Sequence, residues 1–125
     1  MRMDLKEKSE RERFLKSFYY AWQGIKMTLI HERNFQIHAA VCLIVTGAGL
    51  YFHLSAGEWI IILFLMGGML SLELMNTAVE RVVDLVTADY HPLAKAAKDA
   101  AAGAVLIYAI LAVMIGLLIF FPKIL

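Results

Sequence analysis

The sequence predicts an all-α integral membrane protein, with an interfacial amphipathic helix at the N-terminus followed by three transmembrane helices. Three observations carry that expectation. Hydrophobic residues make up 61% of the 125 residues and the mean hydropathy is +0.68, whereas soluble globular domains are roughly 45–50% apolar. Long uncharged segments recur along the chain. Of the 12 lysines and arginines, eight precede residue 35 (Arg2, Lys6, Lys8, Arg11, Arg13, Lys16, Lys26 and Arg33). A chain of this length forms one domain, too small to hide so much apolar side chain in an interior of its own.

The first element is the stretch "RFLKSFYYAWQGIKMTLIHE". Phe14, Phe18, Trp22, Ile25 and Leu29 recur at spacings of 4, 4, 3 and 4, which puts them on one helical face. Arg13, Lys16, Tyr20 and Gln23 lie elsewhere on the circumference. Aromatics on one side and cations on the others suit a helix lying in the membrane interface. Residues 1–33 are therefore read as an N-terminal tail and interfacial helix. Three spans follow, at about 34–56, 58–86 and 97–121. The first segment is free of Asp, Glu, Lys and Arg from residue 34 to 57, the second only from 59 to 72, and the third from 100 to 122. A hydrocarbon core of roughly 30 Å needs about 20 helical residues. The second span reaches that length only by including Glu73 and its neighbours. The link "HLSAGE" has no Lys or Arg, while "TADYHPLAKAAKD" has two lysines. The positive-inside rule then sets the N-terminus and the second link in the cytoplasm, and "HLSAGE" and the C-terminus outside.

Charge and motif content exclude several functions. The basic N-terminal third is diluted by Asp4, Glu7, Glu10 and Glu12, which argues for a membrane surface as its partner and against nucleic acid. No cleavable signal peptide is visible. The single cysteine, Cys42, precludes an internal disulfide and reads as a packed or lipid-facing thiol. The sequence has no Walker loop, no dinucleotide-binding glycine motif, no H-E-x-x-H and no paired CxxC. His31, His38, His53 and His91 are too dispersed for a zinc site. His53 reads as an outer-interface residue, and His38, near the inner end of the first span, as a hydrogen-bonded packing residue.

The informative stretch is "LSLELMNTAVERVVDLV". At about 100° per residue, Glu73, Asn76, Glu80 and Asp84 fall within an arc of roughly 80°, forming one polar stripe. A carboxylate at membrane depth costs a few kcal/mol and faces a protein partner or water. The 14 steps from Trp59 to Glu73 span about 21 Å, which sets Glu73 toward the cytoplasmic side, with Glu80 about 10 Å further on. Glu32 ends the interfacial segment, and Lys98 and Asp99 open the third span. Topology brings both to the same level. Carboxylates from two segments plus a lysine suit a magnesium–phosphate site, since Mg²⁺ is held by one or two carboxylates plus phosphate oxygens and lysine neutralises phosphate. Arg81, Lys95 and Asp4 read as ordinary snorkelling or surface charges.

"ELMNTAVERVVD", residues 73–84, resembles the signature E-x-x-N-[ST]-[SA]-[LIV]-E-x-x-[LIV]-D of the prokaryotic diacylglycerol kinase family, which also contains the undecaprenol kinases. The resemblance extends from Arg13 through "YYAWQG", "HERNF", "DYH" and "AKDAAAGAVL". It implies an interfacial helix and three spans, a homotrimer with active sites shared between subunits, and ATP-dependent phosphorylation of a lipid alcohol. It further implies Glu73 as the general base, Asn76 as the group that orients it or the γ-phosphate, and Glu32 and Glu80 as the carboxylates binding Mg²⁺ with ATP. Arg13, Tyr20, Asp89, Tyr90, His91, Lys98 and Asp99 resemble the remaining nucleotide contacts. Pro92 and Ala96 depart from better-known members. The "ERNF-IH" pattern at 32–38 and the basic N-terminal extension are closer to the undecaprenol kinase branch of Gram-positive bacteria, so undecaprenol is the expected substrate and diacylglycerol the alternative. The expected location is the bacterial cell membrane.

Two other classes compete. A small proton-coupled transporter would use Glu73 as its proton site but gives no reason for Glu80 or for Lys98 and Asp99. A membrane anchor would use Gly67, Gly68 and "AAAGA" for helix packing and leaves the acidic stripe unexplained.

Overall fold

A computed structural model describes residues 2–125, with side chains from residue 9 onward. The chain is all-helical: α1 (Arg2–His31), α2 (Arg33–Tyr51), α3 (Ala56–Val86) and α4 (Pro92–Ile124). Residues up to Glu32 form one compact unit and Arg33–Leu125 a second.

In the first unit, the tail expected before the amphipathic helix is itself helical, and α1 runs from Arg2 without a break. The physical reason is that Lys, Arg, Glu and Leu, which dominate its start, are strong helix formers. Phe14 and Phe18 stack edge to face at 5.3 Å, as an i, i+4 aromatic pair on one face should.

In the second unit, α2, α3 and α4 are each long and apolar enough to cross a membrane. This is a membrane protein. Helix α3 is the common partner: α2 and α4 each pack on it. Two glycines permit close approach. A Cβ on Gly49 would lie 2.7 Å from the Trp59 ring, and one on Gly68 would lie 2.0 Å from the Tyr108 hydroxyl. That hydroxyl donates to the Phe64 carbonyl at 2.7 Å and joins α4 to α3.

The connections are short because each helix end is capped. Helix α2 closes with His53 in the left-handed region at φ 54°, and the Leu54 N–H bonds back to the Gly49 carbonyl at 3.1 Å, the six-to-one bond of a Schellman ending. Ser55 caps α3 reciprocally with Glu58: Glu58 N–H donates to Ser55 Oγ, and Ser55 N–H donates to Glu58 Oε1 at 3.0 Å, a capping box. The same Glu58 pairs with Lys123 at 3.1 Å, tying the start of α3 to the end of α4.

The link before α4 is shorter than expected. The expected start of the third span near residue 97 moves back to Pro92, with only 87–91 outside helix. Proline fits the first helical position, where its missing N–H is not needed. His91 caps the helix by accepting the Leu93 N–H on Nδ1 at 3.1 Å. Helix α3, at 31 residues, is about 46 Å long and outruns a hydrocarbon core of roughly 30 Å. Its last turns, which bear Glu80 and Asp84, therefore extend beyond the apolar layer.

Candidate functional site

The polar stripe lies along α3 as the spacing requires, but its members differ in environment. Glu73 is buried at 4% exposure, with Oε1 3.1 Å from Nε2 of His38 on α2. Asn76 and Glu80 are half-buried. The Asn76 Oδ1 is fully buried without a hydrogen-bond partner, an omission that native interiors rarely tolerate outside functional positions. Asp84 is exposed and accepts from Lys98 Nζ on α4 at 2.6 Å. The stripe thus runs from a buried carboxylate through an unsatisfied acceptor to a solvated ion pair.

Below it, at the 87–91 link, lies an open cleft of about 240 Å³. It brings together Asp84, Asp89, Tyr90, His91, Lys98 and Asp99 from the expected set, and adds Lys95. Lys98 and Asp99, neighbours at the start of the third span, take different partners. Lys98 reaches back to Asp84, while Asp99 takes Lys95 one turn away. Adjacent residues on a helix diverge by about 100°, whereas positions four apart meet. Asp89 is fixed by a turn in which its N–H donates to Thr87 Oγ1 at 3.1 Å. Lys95, read from the sequence as a snorkelling residue or a helix-end salt bridge, forms that salt bridge, an exposed i, i+4 pair with Asp99, and also lines the cleft.

Arg13 and Tyr20 are exposed on α1, in the first unit. Glu32 ends that unit, half-buried, with its N–H bonded to the Thr28 carbonyl at 2.8 Å. The expected residue set is therefore divided between the two units.

The donor chemistry fits Mg²⁺. Among the described residues no three His, Cys, Asp or Glu side chains converge as a metal cage. A hard cation that takes most of its ligands from phosphate and water needs only one or two carboxylates. Glu80 would supply one, and the orphaned Asn76 Oδ1 one turn before it is a neutral oxygen in want of a partner.

An apolar groove of about 460 Å³ runs between α2, α3 and α4. Its walls are aliphatic and aromatic except for Cys42 and His38, so its polar end is the imidazole that touches Glu73. His38 is the residue whose role the sequence reading underestimated. The sequence predicts a hydrogen-bonded packing residue, and the structure sets its Nε2 3.1 Å from the buried carboxylate itself.

Comparison with known proteins agrees with this geometry. The model of the prokaryotic diacylglycerol kinase family matches residues 19–120. The chain is 57% identical to the undecaprenol kinase of Bacillus subtilis, over 97% of this chain and 99% of that one. It is 45% identical to a diacylglycerol kinase of Synechocystis, over 89% of this chain and 64% of the relative. With the Escherichia coli K12 diacylglycerol kinase it shares 29% identity, over 82% and 84% of the two chains. With the family model matched over residues 19–120 and a relative 57% identical over nearly the whole chain, the chain belongs to the prokaryotic diacylglycerol kinase family.

Proposed function

We propose that this kinase transfers the γ-phosphoryl group of ATP, with Mg²⁺, to the hydroxyl of undecaprenol dissolved in the bacterial cell membrane. The single observation that carries the choice of lipid is the 57% identity to an undecaprenol kinase over nearly the whole of both chains. The relatives that carry the name diacylglycerol kinase are less similar, and diacylglycerol is the second reading.

Phosphoryl transfer asks mainly for positioning and charge neutralisation. Glu73, buried in an apolar segment, accepts the hydroxyl proton where no water is available to take it. Asn76, one turn on from Glu73, orients the base or the γ-phosphate through its side-chain amide. Glu80 and Glu32 would hold Mg²⁺, which would supply charge neutralisation for the phosphate oxygens. Lys98 spends one of its three donors on Asp84 and keeps the others for phosphate. Asp89, Tyr90, His91 and Asp99 line the nucleotide end, with Arg13 and Tyr20 contributed by α1. The helix α1 lies in the interface on the cytoplasmic side, and the enzyme works as a homotrimer with shared sites.

The test is a side-by-side assay of purified protein with C55 isoprenol and diacylglycerol, with and without ATP and Mg²⁺. Faster, Mg²⁺-dependent phosphorylation of the isoprenol is expected. Preference for diacylglycerol would overturn the choice of lipid, and no phosphorylation of either would overturn the mechanism.

A further inference from the structure

The base assigned to Glu73 has a partner with no assigned role. Its side chain is 5% exposed and that of His38 is 24% exposed, and the 3.1 Å contact joins α2 to α3 where the apolar groove ends. A carboxylate that acts as a base starts ionised and can only accept. The hydrogen on this contact is then His38 Nε2–H, donated to Oε1. Among the described residues, His38 is the ion-pairing neighbour of this carboxylate, with Nε2 3.1 Å from Oε1.

Resting on the reading of Glu73 as the base, we propose that His38 is a positioning residue for the transfer: its Nε2–H fixes the Glu73 carboxylate through Oε1 and leaves Oε2 to receive the proton. Without that bond the carboxylate is free to rotate about its side-chain torsions, and small misplacements of a reacting group are costly in rate. Holding a functional group by a neighbouring hydrogen bond is the role that outer-shell partners play around metal ligands. The proton balance is complete. The alcohol O–H breaks and its proton goes to Oε2, and the alcohol oxygen bonds to the γ-phosphorus. The bond to the bridging oxygen breaks, and its electron pair leaves with ADP. The proton passes from Glu73 to water only after the products have left the site, while His38 keeps its Nε2–H throughout. The groove bears on the same point. A hydrocarbon chain lying along its apolar wall would bring its polar end to His38, the groove residue next to the base.

The experiment compares kcat, KM for both substrates and nucleotide binding for wild type, His38→Leu, His38→Gln, Glu73→Gln and the His38→Leu, Glu73→Gln double variant. His38→Leu is expected to lower kcat by roughly 10–100-fold, the range for removing an outer-shell partner, with ATP binding unchanged. His38→Gln, which keeps an N–H donor, should recover most of that loss. The double variant should be no slower than Glu73→Gln alone, because with the base gone there is nothing left to position. Wild-type kcat in His38→Leu, no recovery in His38→Gln, or additive losses in the double variant would each overturn the proposal. If His38→Leu does not fold, His38→Asn, with an amide too short for the contact, replaces it under the same outcomes. Normal kcat in Glu73→Gln would instead overturn the assignment of the base. Inactive Glu73→Gln beside normal His38→Leu would remove only the positioning role.

Discussion

Glu73 and Glu80 lie two turns apart on one helix face, and their surroundings set them different tasks. Glu73 is buried against an imidazole, where a proton acceptor is useful because a lipid alcohol arrives without water. Glutamine keeps its shape and hydrogen bonding but cannot take a proton. Glu73→Gln should lower kcat by about 100-fold or more, within the roughly 10²–10⁴ typical of a positioned base, with nucleotide binding intact. Lost ATP binding would make Glu73 a nucleotide-site residue. Glu80 is half-buried one turn from the unsatisfied Asn76 oxygen, suited to a cation shared with phosphate. Glu80→Gln should raise the Mg²⁺ concentration needed for half-maximal rate or abolish turnover, because a site with one or two protein carboxylates has no spare ligand. The exposed Glu10→Gln on α1 is the control. Titrating Mg²⁺ against rate for both variants decides it, and equal curves would sink the metal assignment.

At the scale of elements, the helices were legible because each apolar run is long and the signature spacing obeys one helical period. What escaped the sequence reading was set by groups that meet only in the fold. The pairing of His38 with Glu73 joins positions 35 residues apart. Lys98 chose Asp84 over its neighbour Asp99 because α3 and α4 approach there. Helix α4 starts at Pro92, ahead of the expected span start near 97, because proline suits the first helical turn. Two local devices yield predictions. His53 holds φ 54°, a conformation that costs an L side chain about 1–2 kcal/mol and glycine little. His53→Gly should therefore raise the thermal midpoint in detergent; a lower midpoint would show that the side chain contributes more than the strain removes. At the contact of α3 and α4, Gly68→Ala would drive a Cβ into the Tyr108 hydroxyl and break its bond to Phe64. It should lower the midpoint, and much less so in a Tyr108→Ala background, because residues in contact are not additive. Additive losses would mean that Gly68 is needed for something other than Tyr108.

For the whole molecule, the described side chains include only five buried hydrophobics, Phe35, Leu54, Ile62, Met69 and Val105, and no large side chain is fully buried. Leu43, Ile44, Phe64 and Leu118 are each more than 70% exposed, as lipid-facing or subunit-facing positions would be. The cleft of about 240 Å³ is smaller than the roughly 300–1,000 Å³ usual for a small-molecule site. The residue set is also divided, with Arg13, Tyr20 and Glu32 in the first unit and Glu73, Asn76 and Glu80 in the second. In the proposed homotrimer, neighbouring subunits would complete each other's sites and account for both features. Crosslinking at active concentrations in mild detergent should then give trimers. A sharper measurement mixes two inactive proteins, Glu32→Gln and Glu73→Gln, unfolds them together and reassembles them. If the two glutamates act from different subunits, random pairing of equal amounts restores both native carboxylates at about one site in four, and activity returns to about that fraction. If they act within one chain, every site keeps one lesion and the mixture stays as inactive as its components.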